Sequence, residues 1–136
     1  MNKTILATGA LLGILAVILG AFGAHGLKTM LPAEALQSFE TGVKYQMYHA
    51  LLLLFTGSTA YLGTGRKKVI YTLILTGVVL FSGSVYGLAT NTLTSFDFTS
   101  IAFVTPVGGM LLIAAWGVLF WSFINLKRQT GMSKKS

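Results

Sequence analysis

Four long apolar stretches follow one another along the chain, separated by short polar segments. They run from about residue 5 to 24, 46 to 62, 69 to 88 and 101 to 124, and none contains Asp, Glu, Lys or Arg. A helix that rises about 1.5 Å per residue needs about 20 apolar residues to cross a hydrocarbon core of about 30 Å. The pattern therefore predicts an all-α protein: a bundle of four transmembrane helices forming one integral membrane domain over residues 1–136.

The segment before the second stretch has a different pattern. Pro32 followed by Ala-Glu-Ala-Leu predicts a helix start, because proline supplies a helical φ and Glu34 meets the positive end of the helix dipole. We expect this helix to continue without a break into the second span. Its apolar residues recur at spacings of three and four, at Leu36, Phe39, Val43 and Met47. The segment is therefore amphipathic, and we predict that it lies along the membrane interface, where it could act as a lid.

Composition supports lipid as the solvent of this chain. Hydrophobic residues make up 54% and charged residues 10% of the sequence, and the mean hydropathy is +0.75. Too little polar surface remains to coat a soluble globule. The absence of cysteine excludes disulfides, thiolate metal sites and cysteine nucleophiles. A basic start at Lys3 and small residues near Phe22 also fit a signal peptide, but the apolar run is long for one, and we expect it to be the first span.

The basic residues predict the orientation in the membrane. The formal charge is +7, and with both termini and the loop at residues 66–68 on one side, that side holds eight of the ten Lys and Arg residues. The positive-inside rule makes this side cytoplasmic, so we predict a multi-pass protein of the cell inner membrane with both termini inside. We expect the charges to contact lipid headgroups rather than nucleic acid. The eight residues are Lys3, Arg66, Lys67, Lys68, Lys127, Arg128, Lys134 and Lys135.

Small residues predict where the helices pack. Helices in a bilayer associate through close backbone approach, and glycines spaced by four are typical of such contacts. The candidates are Gly9 and Gly13, followed by Ala16, Gly20 and Ala24, in the first span, Gly83 and Gly87 in the third, and Gly109 and Gly117 around Ala114 in the fourth. The spacing does not say whether the neighbour is another helix of this chain or a second copy, although packing within the chain is favoured.

Polar side chains gather where the predicted spans meet the outer face. We predict that this outer-leaflet layer is a binding site for a lipid, a quinone-like molecule or another small amphiphile, or that it docks a larger membrane complex as an accessory subunit. Alternatively, an interfacial belt consists of Tyr45, Tyr48, Tyr86 and Lys44, and for the tyrosines this is the favoured interpretation. Glu40 and Lys44 can also form an ordinary helical ion pair. The candidate ligand-binding residues are His25, Glu40, Lys44, Gln46, His49, Ser82, Ser84, Tyr86 and Thr105.

Other functions have weaker support in the sequence. Two histidines in one leaflet suggest an electron-transfer module with His25 and His49 as axial haem ligands. Simple hydrogen bonds from each histidine to a neighbouring residue are the favoured interpretation, and we expect no cofactor and no metal. Transport needs polar residues in the inner half of the spans, where few occur. No hydrolase, metalloprotease or phosphate-binding motif is present, so we expect no catalytic residues and no enzyme activity.

Four sequence blocks carry a resemblance to a known family. They are Gly20 to Leu27 (GAFGAHGL), Thr41 to Ala50 (TGVKYQMYHA) with Phe39 before it, Phe81 to Tyr86 (FSGSVY), and Thr105 to Gly109 (TPVGG) with Trp116 downstream. With these blocks the chain resembles the YgdD/YwdK-like family of small bacterial membrane proteins, from about residue 5 to 124. Ala115 stands where that family usually has glycine. The resemblance implies a four-span inner-membrane protein and no particular activity, and its blocks coincide with the polar layer.

Overall fold

The computed structural model describes residues 2–90 and 103–126, which fold into helices. Helix α1 covers Asn2–Phe22 and continues as a π-helical turn, Gly23–Leu27. Helix α2 covers Ala33–Ser58, α3 covers Thr64–Ala89 and α4 covers Val104–Ile124. The described part of the chain contains no strand, which confirms the all-α prediction. Three segments, Asn2–Leu27, Thr64–Ala89 and Val104–Ile124, are long and apolar enough to span a membrane.

Helix α2 begins where the sequence predicted and ends earlier. Pro32 has an extended backbone and precedes the first helical residue, Ala33, while Glu34 lies in the first turn. The helix runs unbroken from there into the apolar stretch, as expected. It ends at Ser58 rather than at residue 62, because Gly57, Ser58 and Thr59 are poor helix formers and Thr59 is already extended. Pro106 lies in the first turn of α4, where an amide would have no partner within the helix.

The helices pack antiparallel in chain order, with α2 and α3 between α1 and α4. Along the α1–α2 contact, Gly23 lies against Phe39, Gly20 against Val43, and Gly9 against Ala50 and Leu53. Later positions in α1 therefore lie opposite earlier positions in α2, so the two helices are antiparallel. Between α3 and α4, Ser84 meets Thr105 and Gly77 meets Leu112. Consequently α2 and α4 run in the same direction on neighbouring sides of α3.

The apolar face of the amphipathic segment at the start of α2 is buried against other helices and is not free to face lipid. Phe39 packs with Leu27 and Leu31 from the end of α1 and with Ala89 from the end of α3, and Leu36 and Val43 pack against this cluster. The expectation of a lid lying on the membrane is therefore wrong. The apolar face that suggested it is the face that α2 turns towards α1 and α3.

A larger apolar core occupies the rest of the bundle. Its fully buried members include Ile5, Leu53, Ile70, Ile74 and Ala115, one or more from each helix. Large apolar side chains also cover the outside of the molecule, and Ile113 on α4 is 71% exposed. Such a surface is stable in contact with lipid tails and not in water. The helices are therefore membrane-embedded.

Close helix contacts use only some of the predicted glycines. A Cβ on Gly9 would lie 3.0 Å from the Ala50 carbonyl oxygen, so this glycine packs as predicted. Gly83 and Gly117 have open space where a Cβ would stand, and the prediction is wrong for them. The close approach of α3 and α4 uses Gly77 and Gly108 instead. Gly108, not Gly109, faces the α3 backbone.

Candidate functional site

Gln46 joins three helices at the centre of the molecule. Its Nε2 donates a hydrogen bond of 2.8 Å to the carbonyl oxygen of Leu12 on α1. Its Oε1 accepts a hydrogen bond of 2.7 Å from the hydroxyl of Tyr86 on α3. A backbone carbonyl can only accept, so the amide nitrogen must face Leu12 and the amide oxygen must face Tyr86. One buried side chain of α2 therefore fixes the positions of α1 and α3 relative to each other.

A second contact between α2 and α3 involves Gly42, one helical turn before Gln46 in α2. The Ser82 hydroxyl donates to the carbonyl oxygen of Gly42 over 2.8 Å, and Ser82 is fully buried. The Tyr86 ring lies directly over Gly42, where a Cβ would come within 2.7 Å of a ring carbon. The ring also packs against Phe39, with centroids 5.1 Å apart. Gly42 is thus required to let the tyrosine reach Gln46.

His49 links α2 to α4. Its Nδ1 lies 2.7 Å from the Tyr45 carbonyl oxygen, and its Nε2 lies 3.1 Å from the indole nitrogen of Trp116. The indole N–H can only donate, so Nε2 of His49 must accept and Nδ1 must carry the proton that is donated to Tyr45. This geometry fits a neutral imidazole in one tautomer. Protonation at Nε2 would break the link to α4.

Ser84 and Thr105 form the polar contact between α3 and α4. The Ser84 hydroxyl donates to the Phe81 carbonyl oxygen over 3.0 Å and is paired with the Thr105 hydroxyl. Since the single Ser84 proton is used within α3, Thr105 is the donor in the pair. The contact lies beside Gly108, where the two helix backbones are closest.

The predicted layer therefore separates into three hydrogen-bonded links between helices and three exposed residues. Gln46, Ser82 and Tyr86 form one link, His49 another, and Ser84 with Thr105 the third. His25, Glu40 and Lys44 are exposed and lie outside these links. Throughout residues 2–90 and 103–126 every buried side-chain nitrogen or oxygen has a hydrogen-bond partner. These links can hold the four helices in register. The polar groups that form them are already engaged in hydrogen bonds within the protein.

The structure does not bring the two histidines together. Ala50, next to His49, lies opposite Gly13 of α1, whereas His25 lies in the π-helical turn at the end of that helix. From Gly13 to His25 the helix rises about 18 Å at about 1.5 Å per residue. Two residues so far apart do not ligate one iron, and both ring nitrogens of His49 are already engaged. The haem alternative has no support in this geometry.

Two features of the structure were not predicted from the sequence. Trp116 was noted only as part of a sequence block, yet it is the partner of His49. Lys67 was counted among surface charges, but it is only 5% exposed, and its ammonium group donates to Asn2 Oδ1 over 3.1 Å and towards the Gly57 carbonyl over 3.5 Å. Because Gly57 is in the last turn of α2, the lysine meets the negative end of that helix. Lys67 thus joins the ends of α1, α2 and α3.

An apolar groove runs beside the His49–Trp116 pair, between the carboxyl-terminal halves of α2 and α4. Its volume is about 340 Å³. Four of its six lining residues are aromatic, and Phe55 and Phe123 meet edge to face across it with centroids 6.1 Å apart. The lining residues are Leu52, Phe55, Trp116, Leu119, Phe120 and Phe123.

Fold and surface together define a small all-helical membrane protein with a buried polar network. The chain belongs to the family described as protein of unknown function (DUF423), whose model matches residues 19–109. It is 40% identical over 116 residues to the UPF0382 membrane protein YwdK of Bacillus subtilis, covering 84% of this chain and 90% of the relative. The UPF0382 inner membrane protein YgdD of Escherichia coli is 36% identical over 132 residues, with 94% and 95% covered.

The same relationship extends to other bacteria. A UPF0382 membrane protein of Haemophilus influenzae is 38% identical over 117 residues, covering 85% of this chain and 90% of the relative. No solved structure matches the chain. These comparisons confirm the resemblance found in the sequence blocks.

Proposed function

We propose that this chain is a non-enzymatic protein that crosses the inner membrane four times, with both termini inside, and holds the apolar tail of a lipid or an isoprenoid quinone in the α2–α4 groove. The groove is the single observation that carries the proposal. With both termini inside it lies in the inner half of the membrane, between the carboxyl-terminal halves of α2 and α4, and not in the outer-leaflet layer that the sequence suggested. The four aromatic residues of the groove are exposed on the outside of the bundle, where a tail from the bilayer can contact them. The relative YgdD, whose name calls it an inner membrane protein, supports the location.

The crossing of α2 is supported by its packing against α1. Residues Phe39 to Leu54 of α2 lie along α1 from Gly23 back to Gly9. This part of α1 exposes Leu11, Ile14, Val17 and Ile18 over large fractions of their surface, so it belongs in hydrocarbon. Because α2 packs along this part of α1, the two helices must lie at the same depth in the membrane. The polar residues of α2 lower its hydropathy without moving it out of the bilayer.

Cysteine labelling tests this topology, because the natural chain has no cysteine. The exposed residues Thr29, before α2, and Gly65, after it, are suitable positions, and a Cβ on Gly65 meets no atom within 4 Å. With an impermeant maleimide on intact spheroplasts, we expect Thr29→Cys to be labelled and Gly65→Cys to be labelled only after lysis. Labelling of both positions in intact cells, or of neither, would show that α2 does not cross.

The chemistry of the groove favours a tail over a polar ligand. All six lining side chains are apolar or aromatic, and the polar group among them, the Trp116 indole N–H, already donates to His49. A volume of about 340 Å³ lies within the range of ligand pockets and suits part of one chain. Hydrogen bonds inside the protein leave the buried polar network with no free nucleophile or base, which supports a protein that binds without catalysing.

Native mass spectrometry of the gently extracted protein tests the binding. We expect the wild-type protein to retain a lipid or a quinone, and Phe120→Ala to reduce the retained fraction several-fold because it removes one wall of the groove. Phe103→Ala is the matched control, since Phe103 is also a highly exposed phenylalanine of the α4 region but lies outside the groove. The mass of the retained molecule distinguishes a lipid from a quinone. Equal retention in both variants would contradict the groove as the binding site.

A further inference from the structure

The hydrogen-bonded pair of His49 and Trp116 closes the apolar groove at one end. Trp116 is the first of the four α4 residues that line the groove, and His49 comes one turn before Leu52, the first lining residue of α2. Ala50, next to His49, lies opposite Gly13 in the middle of the apolar stretch of α1. This is the deep end of the groove, and a tail that enters from the inner face of the membrane ends against Trp116.

Packing alone does not hold the Trp116 ring at the deep end. Trp116 is 50% exposed, so about half of its surface has no protein contact. Two rotatable bonds connect the indole to the backbone, and a half-exposed ring can turn about both of them. The directional restraint is the hydrogen bond of 3.1 Å from the indole N–H to Nε2 of His49.

His49 is itself fixed in position and can anchor the indole. It is only 4% exposed, and its Nδ1–H donates over 2.7 Å to the Tyr45 carbonyl oxygen one turn earlier in α2. This bond sets the rotation of the imidazole and its tautomer, so the lone pair of Nε2 is directed at Trp116. In apolar surroundings no water competes for the indole N–H, which makes the bond stronger than it would be at a wet surface.

We propose that His49 is the positioning residue of the groove. It holds Trp116 as the wall at the deep end, and it engages the only hydrogen-bond donor among the six lining side chains. The surface left to a ligand is then apolar throughout, which suits a hydrocarbon tail. Without the acceptor, the indole N–H would be unpaired in hydrocarbon, and the ring would turn away from the wall to find a partner. This inference rests on the tail binding proposed above.

Other contacts keep α4 in place when the bond between His49 and Trp116 is lost. Gly77 and Gly108 bring the backbones of α3 and α4 into close contact, away from the groove. Losing the bond therefore releases the indole and leaves the helix where it is. If His49 only joined α2 to α4, its loss would lower stability without a selective change in the groove wall. The two roles differ in what happens to Trp116.

Two amide substitutions at His49 differ in reach and separate these roles. In His49→Gln the amide oxygen stands close to the position of Nε2. In His49→Asn it stands close to the position of Nδ1 and falls short of Trp116. Both amides can still donate to the Tyr45 carbonyl, so both variants keep a buried polar side chain with a partner. We expect His49→Gln to retain the bond to the indole and His49→Asn to lose it.

The proton resonance of the Trp116 indole N–H, measured by NMR in detergent micelles, reports on this bond. The chain has two tryptophans, so a Trp121→Phe background leaves a single indole signal. With His49 or His49→Gln we expect a hydrogen-bonded proton that resonates downfield. With His49→Asn we expect the signal to move upfield. The same resonance in all three proteins would overturn the proposal.

Native mass spectrometry of these proteins measures the effect on the groove. We expect the retained fraction of lipid or quinone to fall several-fold in His49→Asn and to stay near the wild-type value in His49→Gln. Gln46→Leu is the matched control, because it removes a polar link of the same helix to α1 and α3 and leaves the groove unchanged. Equal losses in His49→Asn and Gln46→Leu, or retention that does not follow the indole resonance, would overturn the proposal.

Failure of this inference can be told from failure of the tail binding. If the wild-type protein retains neither a lipid nor a quinone, the proposed function fails, and the positioning role of His49 fails with it. If His49→Asn and His49→Gln retain as much as the wild type while Phe120→Ala retains less, the groove binds a tail and only the role of His49 is overturned.

Discussion

Replacing Gly108 with alanine is expected to destabilise the packing of α4 on α3 by about 3 kcal/mol, at the upper end of the usual cost of overpacking. The added Cβ would overlap the backbone nitrogen of Phe81 and lie 2.9 Å from the Gly77 carbonyl oxygen and the Leu80 carbonyl carbon. These are backbone atoms of a helix and cannot rotate away, so the two helices must move apart. Overpacking of a close contact typically costs about 1–3 kcal/mol, and sometimes more. The same movement would weaken the links from Thr105 to Ser84 and from Trp116 to His49.

The effect can be measured by titrating the purified protein with SDS in a mild detergent. Both tryptophans of the chain, Trp116 and Trp121, lie in α4, so their fluorescence reports directly on this helix. We expect the unfolding transition of Gly108→Ala to shift to much lower SDS. Cysteine-free protein makes the titration independent of redox conditions.

Gly109→Ala is the matched control for this prediction. A Cβ on Gly109 would lie 3.7 Å from the Phe81 ring, which is ordinary van der Waals contact. The change therefore gives the helix the better propensity of alanine without a clash, and we expect the transition to stay in place or to rise slightly. Equal shifts in Gly108→Ala and Gly109→Ala would contradict a role for the close α3–α4 approach.

The contrast between adjacent glycines shows what the sequence could predict about packing. That small residues in the spans mark helix contacts was predictable, and Gly9 confirms it. Which of Gly108 and Gly109 faces α3 depends on the rotation of α4 about its axis, and 100° separates the two. That rotation is determined by all contacts of the helix together, including Leu112 against Gly77. Spacing within a single span does not contain this information.

The sequence could predict which polar residues gather in this part of the molecule. It could predict only in part how they are arranged. Depth along the predicted spans groups Gln46, His49, Ser82 and Tyr86 together, and the structure joins all four to other helices by hydrogen bonds. The same grouping also includes Glu40 and Lys44, which share the helix with Gln46 but face the opposite way. A helical projection of α2 separates these sets, because Glu40 and Lys44 lie within one narrow stripe and Gln46 does not.

The depth of the site was harder to predict. Starting the second span at residue 46 placed His49 near the outer boundary, but α2 already packs on α1 from Phe39 onwards. Gln46 and His49 consequently lie opposite the middle of α1. Their burial is tolerated because each polar atom is bonded to another helix or to the backbone. Hydropathy cannot reveal such pairing, which also explains why Trp116 was missed as a partner of His49.

Gln46→Leu is expected to destabilise the bundle by about 1–2 kcal/mol. Leucine occupies a similar volume but removes the bonds to the Leu12 carbonyl and the Tyr86 hydroxyl. Individual side-chain hydrogen bonds between membrane helices average about 0.6 kcal/mol and reach about 1.7, and the part-buried Tyr86 hydroxyl would lose its acceptor. The same SDS titration measures the effect. Gln37→Leu, at an exposed position of the same helix, is the control and should leave the transition unchanged.

A double-mutant cycle with Tyr86→Phe isolates the bond between the two side chains. Once phenylalanine has removed the hydroxyl, Gln46→Leu no longer leaves it unpaired, so we expect the double variant to be more stable than the sum of the single effects predicts. Additive effects would mean that the Gln46–Tyr86 bond contributes nothing to stability. Gln46 faces α1 and α3, whereas the groove lies between α2 and α4. Tail retention in Gln46→Leu should therefore equal that of the wild type, which separates the polar network that holds the helices from the surface that binds.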